Sequence, residues 1–146
     1  MLFRSPTADN SYRRCLLALA VQLGWEVETL DVDAAFLQAN VHHEIYIRPP
    51  EGYPCEPGDV LRLNRSLYGI KQAAREFYDL LRSVLEGIEF VCSLSDKCIF
   101  FWHSPDGVVV IVVHVDDLLL LASSKELMEV TKRRISAHFE IGRAHV

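Results

Sequence analysis

The sequence predicts an α+β domain built on a split βαβ unit, and three stretches carry that prediction. Residues 108–122 (VVVIVVHVDDLLLLA) are two apolar runs that meet at Asp116-Asp117. β-Branched enrichment in the first run and the shortness of both favour strands buried on each face, joined as a tight hairpin with two carboxylates at its bend. Residues 25–32 (WEVETLDV) read as a strand ending in an acid, Asp31. Between the two, Leu67, Ile70, Ala74, Phe77, Leu81, Val84 and Ile88 recur at three- and four-residue spacings, the stripe of an amphipathic helix stopped near Gly87.

The remaining elements follow in order. Asp9-Asn10-Ser11 offers N-caps for a helix of about a dozen residues, striped by Leu16, Leu17, Leu19, Ala20 and Leu23 and ended by Gly24. In the strand that follows, Trp25, Val27 and Thr29 share one face, Glu26 and Glu28 the other. Residues 34–37 (AAFL) are a helical turn. Residues 44–47 alternate like a strand, Pro49-Pro50 stops them, and a Gly- and Pro-rich loop leads to a second short strand at 60–63, so 40–63 is a hairpin inserted after the Asp31 strand. Gly69 weakens the start of the long helix, which makes 67–70 a turn that sets the entry of Lys71 and Gln72. Residues 97–102 (KCIFFW) form a strand and 104–107 its turn into the central hairpin. Ser123 with Glu126 is a capping box for a last helix through Leu127, Thr131, Ile135 and Phe139. Without the insertion the order is β-α-β-β-α, a ferredoxin-like unit lacking its final strand, in which the Asp31 strand and the central hairpin can lie side by side.

Length and composition bound the chemistry. The 146 residues make one domain, and a chain 50% apolar and 24% charged has an ordinary globular composition. The four cysteines form no CxxC pair and lack suitably spaced histidines, so they are free thiols rather than a zinc site. Residues 1–8 lack the apolar core of a signal peptide. Two aspartates at the centre of a membrane span would cost roughly 2.5–3.5 kcal/mol each, which argues against reading 108–122 as one. A net charge of −5 taken alone argues against a nucleic-acid binder, yet residues 61–82 hold five basic side chains (Arg62, Arg65, Lys71, Arg75, Arg82) against Glu76 and Asp79.

Adjacent carboxylates between apolar strands repel, and desolvation adds to the cost. A divalent cation offsets it. Mg²⁺ takes hard oxygen ligands from one or two carboxylates and keeps several waters, and Asp31 is the natural third acid. A solvated turn explains the pair equally well, since Asp favours turns.

The chain resembles the reverse transcriptase domain of copia-type long-terminal-repeat retrotransposons. The resemblance runs through SPTA (5–8), LLALAVQLGWEVETLDVDAAFL (16–37), EIYIRPPEGYP (44–54), LRLNRSLYGIKQAAREFYDLL (61–81), SDKCIFF (95–101) and VVHVDDLLL (112–120). It implies a partial fingers and palm domain over 5–141, with 34–64 as a fingers-like insertion and 142–146 (GRAHV) a tail outside the family pattern. The last palm strand and the thumb would be missing. Carried over by residue, Asp31, Asp116 and Asp117 are the catalytic, metal-binding aspartates, and two Mg²⁺ (or Mn²⁺) ions are the implied cofactors. Phe36 is the aromatic beneath the incoming sugar that clashes with a 2′-hydroxyl, Gln72 lies near the incoming nucleotide, and Lys71 and Arg75 face phosphates. Asp33 is a solvent-facing acid. His114 stands where the family has tyrosine and is expected to pack beneath the site. The implied function is RNA-directed DNA polymerisation, which extends a primer on an RNA or DNA template with deoxynucleoside triphosphates. The alternative is a retrotransposon relic that keeps the fold and at most binds nucleic acid. The family further implies an intracellular location in a cytoplasmic virus-like particle, with no membrane partner.

Overall fold

A computed structural model describes residues 6–33, 35–70 and 72–139. The chain runs α1 (Asn10–Leu23), β1 (Glu26–Asp31), α2 (Ala35–Gln38), β2 (Tyr46–Ile47), β3 (Leu61–Arg62), α3 (Ala73–Gly87), β4 (Val91–Cys92), β5 (Ile99–Ser104), β6 (Gly107–His114), β7 (Asp117–Ala122) and α4 (Lys125–Ser136). Five strands make one antiparallel sheet in the order β1-β7-β6-β5-β4, and β2 pairs with β3 in a separate ribbon. This is a mixed α/β architecture with a mainly antiparallel sheet. Ser5 and the expected tail at 142–146 lie outside the described residues.

The lack of polar alternation in β6 and β7 has a direct cause, because both faces of these strands are covered. On one face Leu30, Val109, Ile111, Val113, Leu118 and Leu120 pack under Phe77, Leu81 and Leu85 of α3 and Met128 and Ile135 of α4. On the other, Val110, Val112 and Leu121 meet Ala20, with Leu16 and Leu17 of α1 against them. Asp9 caps α1 by accepting the Ser11 N–H at 2.7 Å, and Gly24 closes it in the left-handed conformation at φ 67°, as the sequence predicts.

Two local expectations are corrected, and one strand is added. Ser124, not Ser123, caps α4 by accepting the Leu127 N–H at 3.3 Å. Ser123 Oγ is engaged elsewhere, accepting the Val108 N–H at 3.0 Å where β6 begins. β1 turns its Leu30 side into the main core and leaves Val27 40% exposed, because among the described residues β1 pairs only with β7 and sits at the sheet edge. Residues 91–92, unassigned from sequence, form the far edge strand.

Gly107 is required by both conformation and space. Its φ is 147°, and a Cβ there would lie 2.1 Å from Ser123 Oγ. Gly107→Ala is therefore expected to destabilise the fold by about 1–3 kcal/mol through backbone strain and overpacking, read as a lower urea midpoint at unchanged m-value.

The four cysteines are free thiols, as expected. Burial pushes the Cys98 thiol up to about 11, helped by Asp96 and Cys92, and burial likewise raises the Tyr78 hydroxyl to about 12. Both groups are bound more tightly to their protons in the folded chain. Their contribution is complete below the unfolded values near 9 and 10 and is lost as pH rises through 11 and 12. Thermal unfolding should thus move to lower temperature between pH 9 and 12, and a thiol reagent at neutral pH should modify exposed Cys15 and Cys55 well before Cys98.

Candidate active site at the β1–β7 edge

β1 and β7 run in a register that sets Leu30 opposite Leu118 and Asp31 opposite Asp117. The leucines point into the core, so the two aspartates emerge on the other face, and both are exposed. His114 is the β6 partner of Asp117, which leaves Val115-Asp116 as a two-residue hairpin loop. Val115 is left-handed at φ 60°, a conformation that a β-branched side chain resists and that costs about 1–3 kcal/mol. The surroundings hold it there. The Val115 N–H donates to the Pro6 carbonyl at 3.0 Å, the Val32 N–H donates to the Asp116 carbonyl at 3.3 Å, and the Val115 side chain packs against the main core.

Asp116 meets a residue that the sequence reading left aside. The Tyr68 hydroxyl donates to Asp116 Oδ2 at 3.4 Å, and its ring lies against Phe36 with centroids 4.4 Å apart and planes tilted by 57°. Burial raises the Tyr68 pKa most, followed by the Asp116 charge, the hydrogen bond to Asp116 and the Asp31 charge, so the hydroxyl feels both carboxylates. Tyr68 is carried on the turn at 67–70, where Gly69 is left-handed at φ 92° and the Ile70 N–H donates to the Leu67 carbonyl. The turn is moored to α2. Arg65 Nη1 donates to the Gln38 carbonyl at 2.9 Å, and the Ser66 N–H donates to the Ala39 carbonyl at 3.1 Å. The signal for Tyr68 was present in SLYG, an aromatic beside a glycine ahead of a helix.

The other expected site residues fall as follows. Phe36 is 7% exposed, under Tyr68 and edge-on to Phe77 at 6.0 Å. Gln72 is half-buried at the N-cap of α3, where its carbonyl accepts the Glu76 N–H. Lys71 lies outside the described residues. Arg75 is exposed and pairs with Asp79 at 3.7 Å, and Arg62 and Arg82 pair with Glu44 and Glu86. The basic segment therefore carries its own counter-charges, though exposed pairs of this kind hold by only about 0–1 kcal/mol and yield readily to a phosphate. His114 is exposed rather than packed beneath the hairpin, and it lines a cavity of about 170 Å³ with Arg13, Thr29 and Asp117.

The donor set here is carboxylate only. Among the described residues no three His, Cys, Asp or Glu side chains are gathered closely enough to hold an ion among themselves. The facing pair Asp31 and Asp117, with Asp116 on the loop, nevertheless fits an ion that takes one or two carboxylates and completes its shell with water and phosphate oxygen. Among the described residues no helix is long and apolar enough to cross a membrane.

The family model described as reverse transcriptase (RNA-dependent DNA polymerase) matches residues 3–145, and the chain belongs to that family. Over 140 residues it is 35% identical to the retrovirus-related Pol polyprotein from transposon TNT 1-94 of Nicotiana tabacum, a match covering 94% of this chain and 10% of that protein. The polyprotein from transposon RE2 of Arabidopsis thaliana is 34% identical, again over 94% of this chain and 10% of its own length. A putative transposon Ty5-1 protein of Saccharomyces cerevisiae is 32% identical over 73% of the chain and 35% of that protein. The resemblance to copia-type retrotransposon polyproteins is thus established, and the chain spans about a tenth of the polyproteins it matches.

Proposed function

We propose that the chain is the catalytic part of an RNA-directed DNA polymerase, joining deoxynucleoside triphosphates to a primer 3′-hydroxyl on an RNA or DNA template. The observation that carries this reading is the register of Asp31 opposite Asp117, with Asp116 on the adjoining loop. The sheet corresponds to a palm of split βαβ type, 34–64 to a fingers-like insertion, and 5–141 to the fingers and palm domain.

Asp31, Asp116 and Asp117 would hold two divalent ions, Mg²⁺ or Mn²⁺, which when bound neutralise the triphosphate and lower the pKa of the primer hydroxyl. The chain's own part is orientation. Val115, pinned to Pro6, fixes the loop that presents Asp116, and the sheet fixes Asp31 against Asp117. Phe36 and Gln72 are the residues proposed to serve the incoming nucleotide, and Lys71 and Arg75 those proposed to serve its phosphates. The alternative of a relic that keeps the fold and only binds nucleic acid predicts a different outcome in one assay. In primer extension with Mg²⁺ on a homopolymer template, the polymerase lengthens the primer only with deoxynucleotides complementary to the template. Binding of the hybrid without extension would leave the relic.

A further inference from the structure

Residues 6–8 of the SPTA stretch and the SDKCIFF stretch at 95–101 meet at the end of β6, next to the aspartate hairpin. The β5 side leaves the β6 edge at Cys98, whose carbonyl accepts the Val113 N–H at 2.7 Å. Residues 6–8 take over the edge from there. The Ala8 N–H donates to the Val113 carbonyl at 3.2 Å, Thr7 bridges His114, and the Pro6 carbonyl accepts the Val115 N–H at 3.0 Å. One carboxylate joins the two successive partners of β6: Asp96 Oδ1 accepts the Cys98 N–H at 2.8 Å and Asp96 Oδ2 accepts the Asp9 N–H at 2.8 Å. We propose that Asp96 is a positioning residue for the metal site, clasping residues 6–9 to the end of β6 so that Pro6 holds Val115, and through it Asp116, in place. This rests on the divalent-cation reading of Asp31, Asp116 and Asp117 above.

The physical reason is that a three-residue segment near a chain end, paired along one side, frays unless it is tied. Asp96 supplies the tie through two hydrogen bonds from backbone N–H groups to a charged acceptor, the short and strong kind. Its own loop is fixed in turn. Ser93 Oγ accepts the Asp96 N–H at 3.4 Å, and the Tyr78 hydroxyl donates to the Lys97 carbonyl at 2.5 Å. Val115 depends on the tie because a φ of 60° is disfavoured for a β-branched residue, and such strain persists only while the surroundings over-determine it. Without Asp96, residues 6–8 let go, Val115 relaxes, and Asp116 moves away from Asp31 and Asp117.

The test is Mn²⁺ binding to the full chain, with the dissociation constant read from the electron paramagnetic resonance signal of the free ion and the site located by broadening of amide signals at 30–32 and 114–118. The chains compared are the parent, Asp96→Ala, Asp96→Asn, Val115→Gly, and Val115→Gly combined with each Asp96 change. Asp96→Ala should weaken Mn²⁺ binding about 10-fold, the low end for a residue that orients a metal ligand through others. Asp96→Asn keeps one acceptor oxygen and should lose part of that affinity, and it carries the comparison if the alanine variant fails to fold. Glycine adopts positive φ without support, so in the Val115→Gly background either Asp96 change should shift Mn²⁺ binding by less than about 2-fold. A merely structural role for Asp96 would not produce that coupling. Mn²⁺ binding that is unchanged by the Asp96 substitutions, or weakened equally with and without Val115→Gly, overturns the assignment of Asp96 and leaves the metal site standing. A parent chain whose signals at 30–32 and 114–118 do not respond to Mn²⁺ overturns the metal-site reading, and this inference with it.

Discussion

Replacing Asp31 or Asp117 with asparagine is expected to reduce primer extension by about 100-fold or more, since changes one shell further out from a metal already cost about 10–100-fold. The amide keeps the shape of the side chain and loses the anionic oxygen that a hard cation requires. Stability should move the other way for Asp117→Asn. Asp31 and Asp117 are directly opposed on neighbouring antiparallel strands, where like charges repel, and both are exposed. Relieving that repulsion should raise the unfolding free energy by about 0.2–1 kcal/mol. A variant that gains stability as it loses activity is the mark of a pair kept for chemistry. Primer extension and urea unfolding on the same preparation check both halves.

The second large effect lies in the core beneath the site. Phe77 is fully buried, edge-on to Phe36 at 6.0 Å and to Phe139 at 6.1 Å, so it couples α3 both to the support of Tyr68 and to the residues beyond α4. Phe77→Ala should cost about 3–5 kcal/mol, a large share of the roughly 5–15 kcal/mol that holds a domain of this size together. Chemical denaturation should show the midpoint falling steeply. Phe77→Leu keeps most of the volume and should cost less than about 1.5 kcal/mol, which separates loss of the cavity filler from loss of the ring.

Much of the fold could be read in the chain because local signals agreed with one another. Asp9 and Gly24 bracket α1, the three- and four-residue spacing of Phe77, Leu81 and Val84 marks α3, and the paired runs around Asp116-Asp117 mark β6 and β7. What escaped was decided by tertiary context. Ser123 and Ser124 are equivalent caps in sequence, and the choice falls to Ser124 because Ser123 is needed by the Val108 N–H across the sheet. Val27 alternates as a buried residue should, yet it lies on a strand with one neighbour among the described residues. At the site, the facing of Asp31 and Asp117 depends on a pairing between distant segments that no spacing encodes. Tyr68 was hidden for a similar reason, since its contacts with Phe36 and Asp116 exist only once the turn at 67–70 folds over α2.

The central claim is that Asp31, Asp116 and Asp117 form one divalent-cation site at the β1–β7 edge. Paramagnetic broadening of backbone amide signals by substoichiometric Mn²⁺ tests it without requiring turnover. The account predicts that residues 30–32, 114–118 and 68 broaden first, and that Asp116→Asn relieves the effect at all three segments together. Broadening that instead centres on another acidic group, such as Glu126 and Glu129 of α4, or that persists unchanged in Asp116→Asn, would contradict it.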